Sequence, residues 1–283
     1  MSKRKNTPKK TKQKVATKSS LKSYLAIALF IGVIFLAFLF KEEIRFSYLK
    51  IRSIYMVYKE KYTTKVEHTK IQKILKIHED HIFGIDISHY QGLINWNKVG
   101  FLEDSIPVSF VMIRATAGNN KSDNYFTYNW RESKKKKFIR GAYHYYRPDE
   151  NSTEQAEKFI SKVKLEKGDL PPILDIEDVS DIQSITSLRK GISNWLYLVE
   201  KNYGIKPIIY TGDSFYKDNM KGKGFNDYPI WIANYNKHIK QPMVKDWIIW
   251  QFSDEGKATG IGEFVDLNVF DGNEKMLKLL LIN

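Results

Sequence analysis

From His81 onward the chain alternates short apolar runs with helix-length polar spacers, and this rhythm restricts the fold more than any other feature of its 283 residues. The runs are 82–88, 109–117, 139–146, 172–177, 206–211, 229–235, 247–253 and 264–268, each the length of one strand. Helical candidates at 94–101, 121–137, 152–167 and 181–203 separate the earlier runs. The last of them carries an apolar face of Ile185, Leu188, Ile192, Trp195 and Val199. After Thr211 the spacers shrink to loop length. Strands alternating with helices build a parallel sheet, and eight of them close into an α/β barrel whose last strands lack full helices. No internal repeat or low-complexity linker divides 81–283, so it reads as one domain.

Ligands and catalytic groups gather at the C-terminal ends of such strands. In the run Pro171-Pro172-Ile173-Leu174-Asp175-Ile176-Glu177, two carboxylates stand at i and i+2, on one face of an extended chain. Acids held that close repel, so one of them keeps its proton near neutral pH. A helix N-terminus is the competing explanation, since acids are favoured there too. Asp86 ends the first run and costs free energy in an apolar strand unless it is paired or hydrogen-bonded. The barrel gathers Asp86, Asp175, Glu177 and Asp266 at one mouth, ringed by Tyr145, Tyr210, Trp231, Tyr235 and Trp250, with Gln251 beside them. Four acids with no lysine among them suit glycoside hydrolysis, and flat aromatic faces suit sugar rings. Taken singly, each Trp or Tyr also fits a core position, and His144 reads as a hydrogen-bonded histidine at a strand end. No calcium loop, phosphate-binding glycine loop, nucleophile elbow or HExxH helix accompanies the acids, so no metal or cofactor is expected. The chain contains no cysteine, which removes disulfides and thiolate metal sites.

The N-terminal 80 residues have a different texture. Residues 1–23 hold nine Lys or Arg and no acid, a basic cytoplasmic arm too polar to bury. Residues 24–40 are seventeen uncharged residues bounded by Lys22 and Lys41, read as an uncleaved membrane anchor. The basic flank places the N-terminus inside and the rest of the chain outside the cytoplasmic membrane. Residues 41–80 show helical spacing of apolar groups and read as a stalk, with 81–283 as the catalytic domain. Of the formal charge of +14, nine sit in 1–23 and a surplus of four in 41–80, leaving about +1 for the domain. Nucleic acid is therefore not an expected partner of the domain.

The ordered motifs GIDISHYQG (84–92), AYHYYRP (142–148), PILDIE (172–177), IWIANY (230–235), WQFS (250–253) and VDLN (265–268) resemble glycoside hydrolase family 25, the Chalaropsis-type lysozymes. The resemblance covers 82–272. It implies a modified, flattened TIM-like barrel whose last three strands lack the usual helices. It also implies cleavage of the β-1,4 bond between N-acetylmuramic acid and N-acetylglucosamine in peptidoglycan. By the same resemblance Glu177 is the general acid, Asp175 lies beside it and Asp86 across from it, with Asp266 the fourth cleft acid. The intermediate is stabilised either by a carboxylate or by the substrate's own N-acetyl group. Two other readings compete: an inert saccharide-binding or scaffold protein on the same barrel, and a hydrolase of chitin-like chains. Neither oligomeric state nor the source of the wall follows from these residues.

Overall fold

The computed structural model describes residues 24–32, 39–236 and 241–283. The chain divides into two compact units, Met1–Tyr62 and Thr63–Asn283. In the first, residues 24–32 are helical and a long helix, α1 (Lys41–Ile77), begins. The expected arm at 1–23, and residues 33–38 of the expected anchor, lie outside the described residues. Among the described residues no helix is long and apolar enough to cross a membrane.

The second unit starts within α1. Ile71, Ile74 and Leu75, which the sequence suggests as a stripe on a stalk, are buried in the main core of this unit. Glu67 accepts a hydrogen bond from Ser253 Oγ at 2.7 Å and pairs with the buried Lys70 at 2.6 Å. The end of α1 is thus part of the barrel's own packing, and the unit begins before the expected boundary at 81.

Eight strands form the barrel: β1 (Ile82–Ile87), β3 (Ile106–Ala117), β5 (Ile139–Tyr145), β6 (Ile173–Asp175), β7 (Ile208–Gly212), β8 (Ile230–Ala233), β9 (Trp247–Gly256) and β10 (Val265–Phe270). Two short strands, β2 (Phe101–Leu102) and β4 (Lys121–Ser122), pair with the two ends of β3. Neighbours from β1 through β3 to β9 run parallel, whereas β10 is antiparallel to both β9 and β1 and closes the ring. Helices α2 (Phe126–Lys135), α3 (Ser152–Lys162) and α4 (Ile185–Tyr203) cross over the early strands, and α5 (Glu274–Leu280) follows β10. Two caps are readable from the sequence: Asn151 accepts the Thr153 and Glu154 N–H groups, and Gly204 ends α4 in the left-handed conformation. The helix expected at 94–101 is absent: a turn at 96–98 and the first residue of β2 fall in that span. No helix joins β9 to β10, which explains the short spacers of the late chain.

Period-two alternation sorts the side chains into two cores. Phe110, Met112, Tyr143, Ile173, Ile208, Trp231, Ile249 and Phe270 pack together inside the ring. Val111, Ile113, Leu174, Ile176, Ile209, Ile232, Trp250 and Leu267 belong to the larger cluster between ring and helices. Gly84 lies on the inner face because a Cβ there would come within 2.3 Å of the Phe110 ring and 2.5 Å of its carbonyl oxygen.

Candidate active site

Each inner column changes from apolar to polar as it approaches the C-terminal mouth. On β6 Ile173 is followed by Asp175 and then Glu177, on β1 Gly84 by Asp86, and on β9 Ile249 by Gln251. On β10 the order is reversed, Asp266 and Asn268 preceding Phe270, because that strand runs the other way. Antiparallel closure therefore brings Asp266 directly opposite Asp86 in the register. The cleft above these residues has a volume of about 810 Å³.

The four acids form two pairs. Asp175 is buried and Glu177 is exposed to the cleft, joined by a side-chain hydrogen bond. Burial, then the charge of Glu177 and the hydrogen bond to it, hold the Asp175 carboxyl well above the usual carboxylate range. Enclosure by the cleft walls also raises Glu177, but the hydrogen bond from Asp175 pulls it back. The shared proton therefore rests on Asp175 in the open cleft, because Asp175 is the more deeply buried of the two. Asp175 Oδ1 is buried without a hydrogen-bond partner.

In the second pair Asp86 Oδ2 accepts Gln251 Nε2 at 2.6 Å and Asn268 Nδ2 at 2.7 Å. Burial raises Asp86 to about 6, opposed by these donors and by a hydrogen bond from Asp266. Burial and the Asp86 charge push Asp266 up to about 9, so Asp266 stays protonated and donates. This second pair therefore holds one proton at neutral pH.

The aromatic residues divide. Tyr145 lines the cleft and donates to Asp178 Oδ2 at 2.8 Å, and Tyr210 donates to Gln251 Oε1 at 2.7 Å. Tyr235 is partly exposed on the wall, with its hydroxyl also bonded to Gln251. Trp231 is a buried floor residue whose indole N–H donates to Asn268 Oδ1 at 2.8 Å and whose ring lies 4.3 Å from that of Tyr210. Trp250 is not in the cleft. Alternation turns Gln251 inward and Trp250 outward, where its indole N–H donates to the Asn234 carbonyl at 3.1 Å and its ring packs on His78, Trp247 and Phe252. His144 is fully buried between Thr116 Oγ1 (2.7 Å) and Gln155 Oε1 (3.1 Å), and burial lowers it to about 4, which keeps it neutral and structural.

Sequence reasoning missed the other wall, formed by His89, Tyr90, Arg114, Lys121, Asp123 and Arg147. The signal was present: Arg114 interrupts an apolar run, as Asp86 does, and a charge there needs partners. Among the described residues no group of three or more His, Asp or Glu side chains is arranged to hold a metal ion.

Residues 85–261 match the family described as Glycosyl hydrolases family 25. The chain belongs to glycoside hydrolase family 25. As a family 25 member it is a glycoside hydrolase. It is 41% identical over 198 residues to the uncharacterized protein YegX of Escherichia coli (strain K12), covering 70% of this chain and 72% of that one. It is 33% identical to Lysozyme M1 of Streptomyces globisporus, over 71% of each chain. Among solved structures, the bacterial lysozyme from Streptomyces coelicolor superposes with a TM-score of 0.64 at 32% identity, covering 71% of this chain and 96% of that one. A family 25 glycosyl hydrolase from Bacillus anthracis gives 0.62 at 30% identity, covering 72% and 95%.

Proposed function

We propose that this chain is a membrane-anchored muramidase that hydrolyses the β-1,4 bond between N-acetylmuramic acid and N-acetylglucosamine in peptidoglycan, acting outside the cytoplasmic membrane. The observation that carries the reading is the Asp175–Glu177 pair, which shares a proton at the mouth of a sugar-sized cleft. Relatives named lysozyme and N,O-diacetylmuramidase support the choice of substrate. In the open cleft Asp175 holds the proton. A bound glycan strand excludes water from Glu177 and raises its affinity for that proton, which passes along the existing hydrogen bond. Glu177 then delivers it to the glycosidic oxygen as the bond breaks. Asp175 is left as a buried anion close to the positive charge that develops on the sugar, and the water that then adds to that carbon returns a proton to the pair. Asp86, with three donors on it, contributes a second negative charge to the same cleft.

The test is digestion of purified peptidoglycan and of chitin by the full chain, with mass spectrometry of the products. New reducing ends on N-acetylmuramic acid are expected, and ends on N-acetylglucosamine would refute the bond assignment.

Anchoring is supported by the seventeen uncharged residues at 24–40 and by the helix at 24–32, on which Tyr24, Leu25, Leu29 and Phe30 are exposed. A helix with such side chains outside any protein core suits a lipid surrounding. The expected result is full-length protein in the membrane fraction, with its catalytic domain digested by protease added outside. Recovery of a soluble form beginning near residue 41 would show a cleaved signal instead.

A further inference from the structure

The cleft has a cationic wall whose Arg114 charge partly offsets the raised proton affinity of Asp175 but takes no other part in the acid pairs. Asp123 organises it. Its buried Oδ2 accepts Arg114 Nε at 3.2 Å and the His89 backbone N–H at 2.8 Å, while Oδ1 accepts the Tyr125 N–H at 3.0 Å. These bonds tie the turn after β1 and the start of α2 to one arginine on β3. Arg114 Nη2 meets His89 Nδ1, and the guanidinium carbon lies 5.2 Å from the centroid of the Tyr90 ring. A guanidinium carries five N–H donors. Asp123 and His89 take two, so three have no protein acceptor among the described residues. The exposed Lys121 stands on β4, which pairs antiparallel with the C-terminal end of β3, and forms no ion pair among the described residues. Arg147 also lines the cleft and pairs with Glu150 at 3.0 Å.

We propose that Arg114, assisted by Lys121 and Arg147, forms a carboxylate-binding subsite that selects glycan strands bearing acid groups over uncharged ones. This rests on the muramidase reading and sharpens its substrate. A fixed guanidinium fork with unused donors matches a carboxylate in two-point contact. The need for it comes from the acids themselves. A strand carrying negative groups is repelled by Asp86 and Glu177, and the cations that line the same cleft offset that repulsion. In peptidoglycan the carboxylate has two sources: the lactyl group of muramic acid, free where the peptide has been removed, and the acid groups of the attached peptide.

The experiment uses the full chain on three substrates: peptide-bearing peptidoglycan, peptide-stripped strands, and stripped strands whose carboxyl groups have been amidated. If the lactyl acid is the ligand, amidation raises the wild-type KM by ~10- to 100-fold, the worth of a charge-assisted hydrogen bond. If the peptide supplies it, that rise appears instead between peptide-bearing and stripped strands. In either case Arg114→Gln raises KM on the preferred substrate and removes the preference. Lys121→Ala, on an exposed strand where folding is not at stake, shifts KM the same way by less, and salt diminishes the shift. A wild type indifferent to both treatments overturns the subsite. So does an Arg114→Gln variant whose KM changes equally on all three substrates. Failure of the wild type to cleave any of them removes the muramidase reading, and the subsite with it.

Discussion

Asp266→Asn should make the protein more stable at neutral pH while impairing its site. In the folded chain Asp266 binds its proton up to about pH 9 because of burial and the neighbouring Asp86 charge. In the unfolded chain it titrates near the ordinary 3.8. A carboxyl whose folded pKa is raised contributes its full stability below the unfolded value, and loses it as pH rises towards the folded one. Each pH unit between the two removes about 1.4 kcal/mol, so at pH 7 the ceiling is about 4 kcal/mol. Coupling to Asp86 shares that penalty, and roughly 2–4 kcal/mol is the expected gain. Asparagine keeps the shape and an N–H for Asp86, so the neutral hydrogen bond survives while the proton uptake disappears. The assay is urea unfolding of both proteins from pH 4.5 to 8.5. The stability difference should be small at the acid end and widen with pH, in favour of the variant. Two curves that stay parallel across this range would refute the protonated Asp266 and the pairing built on it.

Four further outcomes follow from the same geometry. Glu177→Gln should lower kcat by ~10²–10⁴-fold with its melting temperature preserved, since only the acid is lost; near-normal turnover would sink the mechanism. Asp175→Asn keeps the hydrogen bond to Glu177 but has no proton to hand over, so the alkaline limb of the kcat profile should move to lower pH. Trp250→Ala should cost about 3–5 kcal/mol in unfolding experiments and leave glycan affinity per folded molecule unchanged, because the ring packs behind the cleft wall. A chain beginning at residue 81 should be less stable than one beginning at residue 63, by roughly 1.5–3 kcal/mol for each of Ile71, Ile74 and Leu75, as denaturant titration would report.

The strands and the four acids were legible because apolar runs and charges at their ends are local signals. Asp175 and Glu177 needed only the two-residue repeat to be placed together. The same repeat, applied to Trp250 and Gln251, separates them, and aromatic bulk alone misdirects the choice. Direction was not legible. No residue in 265–270 announces an antiparallel strand, and Asp266 reaches the mouth only through that reversal. The fate of Ile71 and Leu75 was equally hidden, because an apolar stripe on a helix does not name what it packs against. Which member of a carboxyl pair keeps the proton depends on depth of burial, and depth is a property of the assembled barrel.

Closure of the ring by β10 has a consequence for biosynthesis. Asp86 receives its hydrogen bond from Asn268 across 182 positions of chain. Until that last strand has emerged and docked between β1 and β9, the barrel is an open sheet and Asp86 lacks two of its donors. Contacts of such long range form late. A nascent chain in which β10 has not yet docked therefore lacks the completed acid pair on which the proposed chemistry depends.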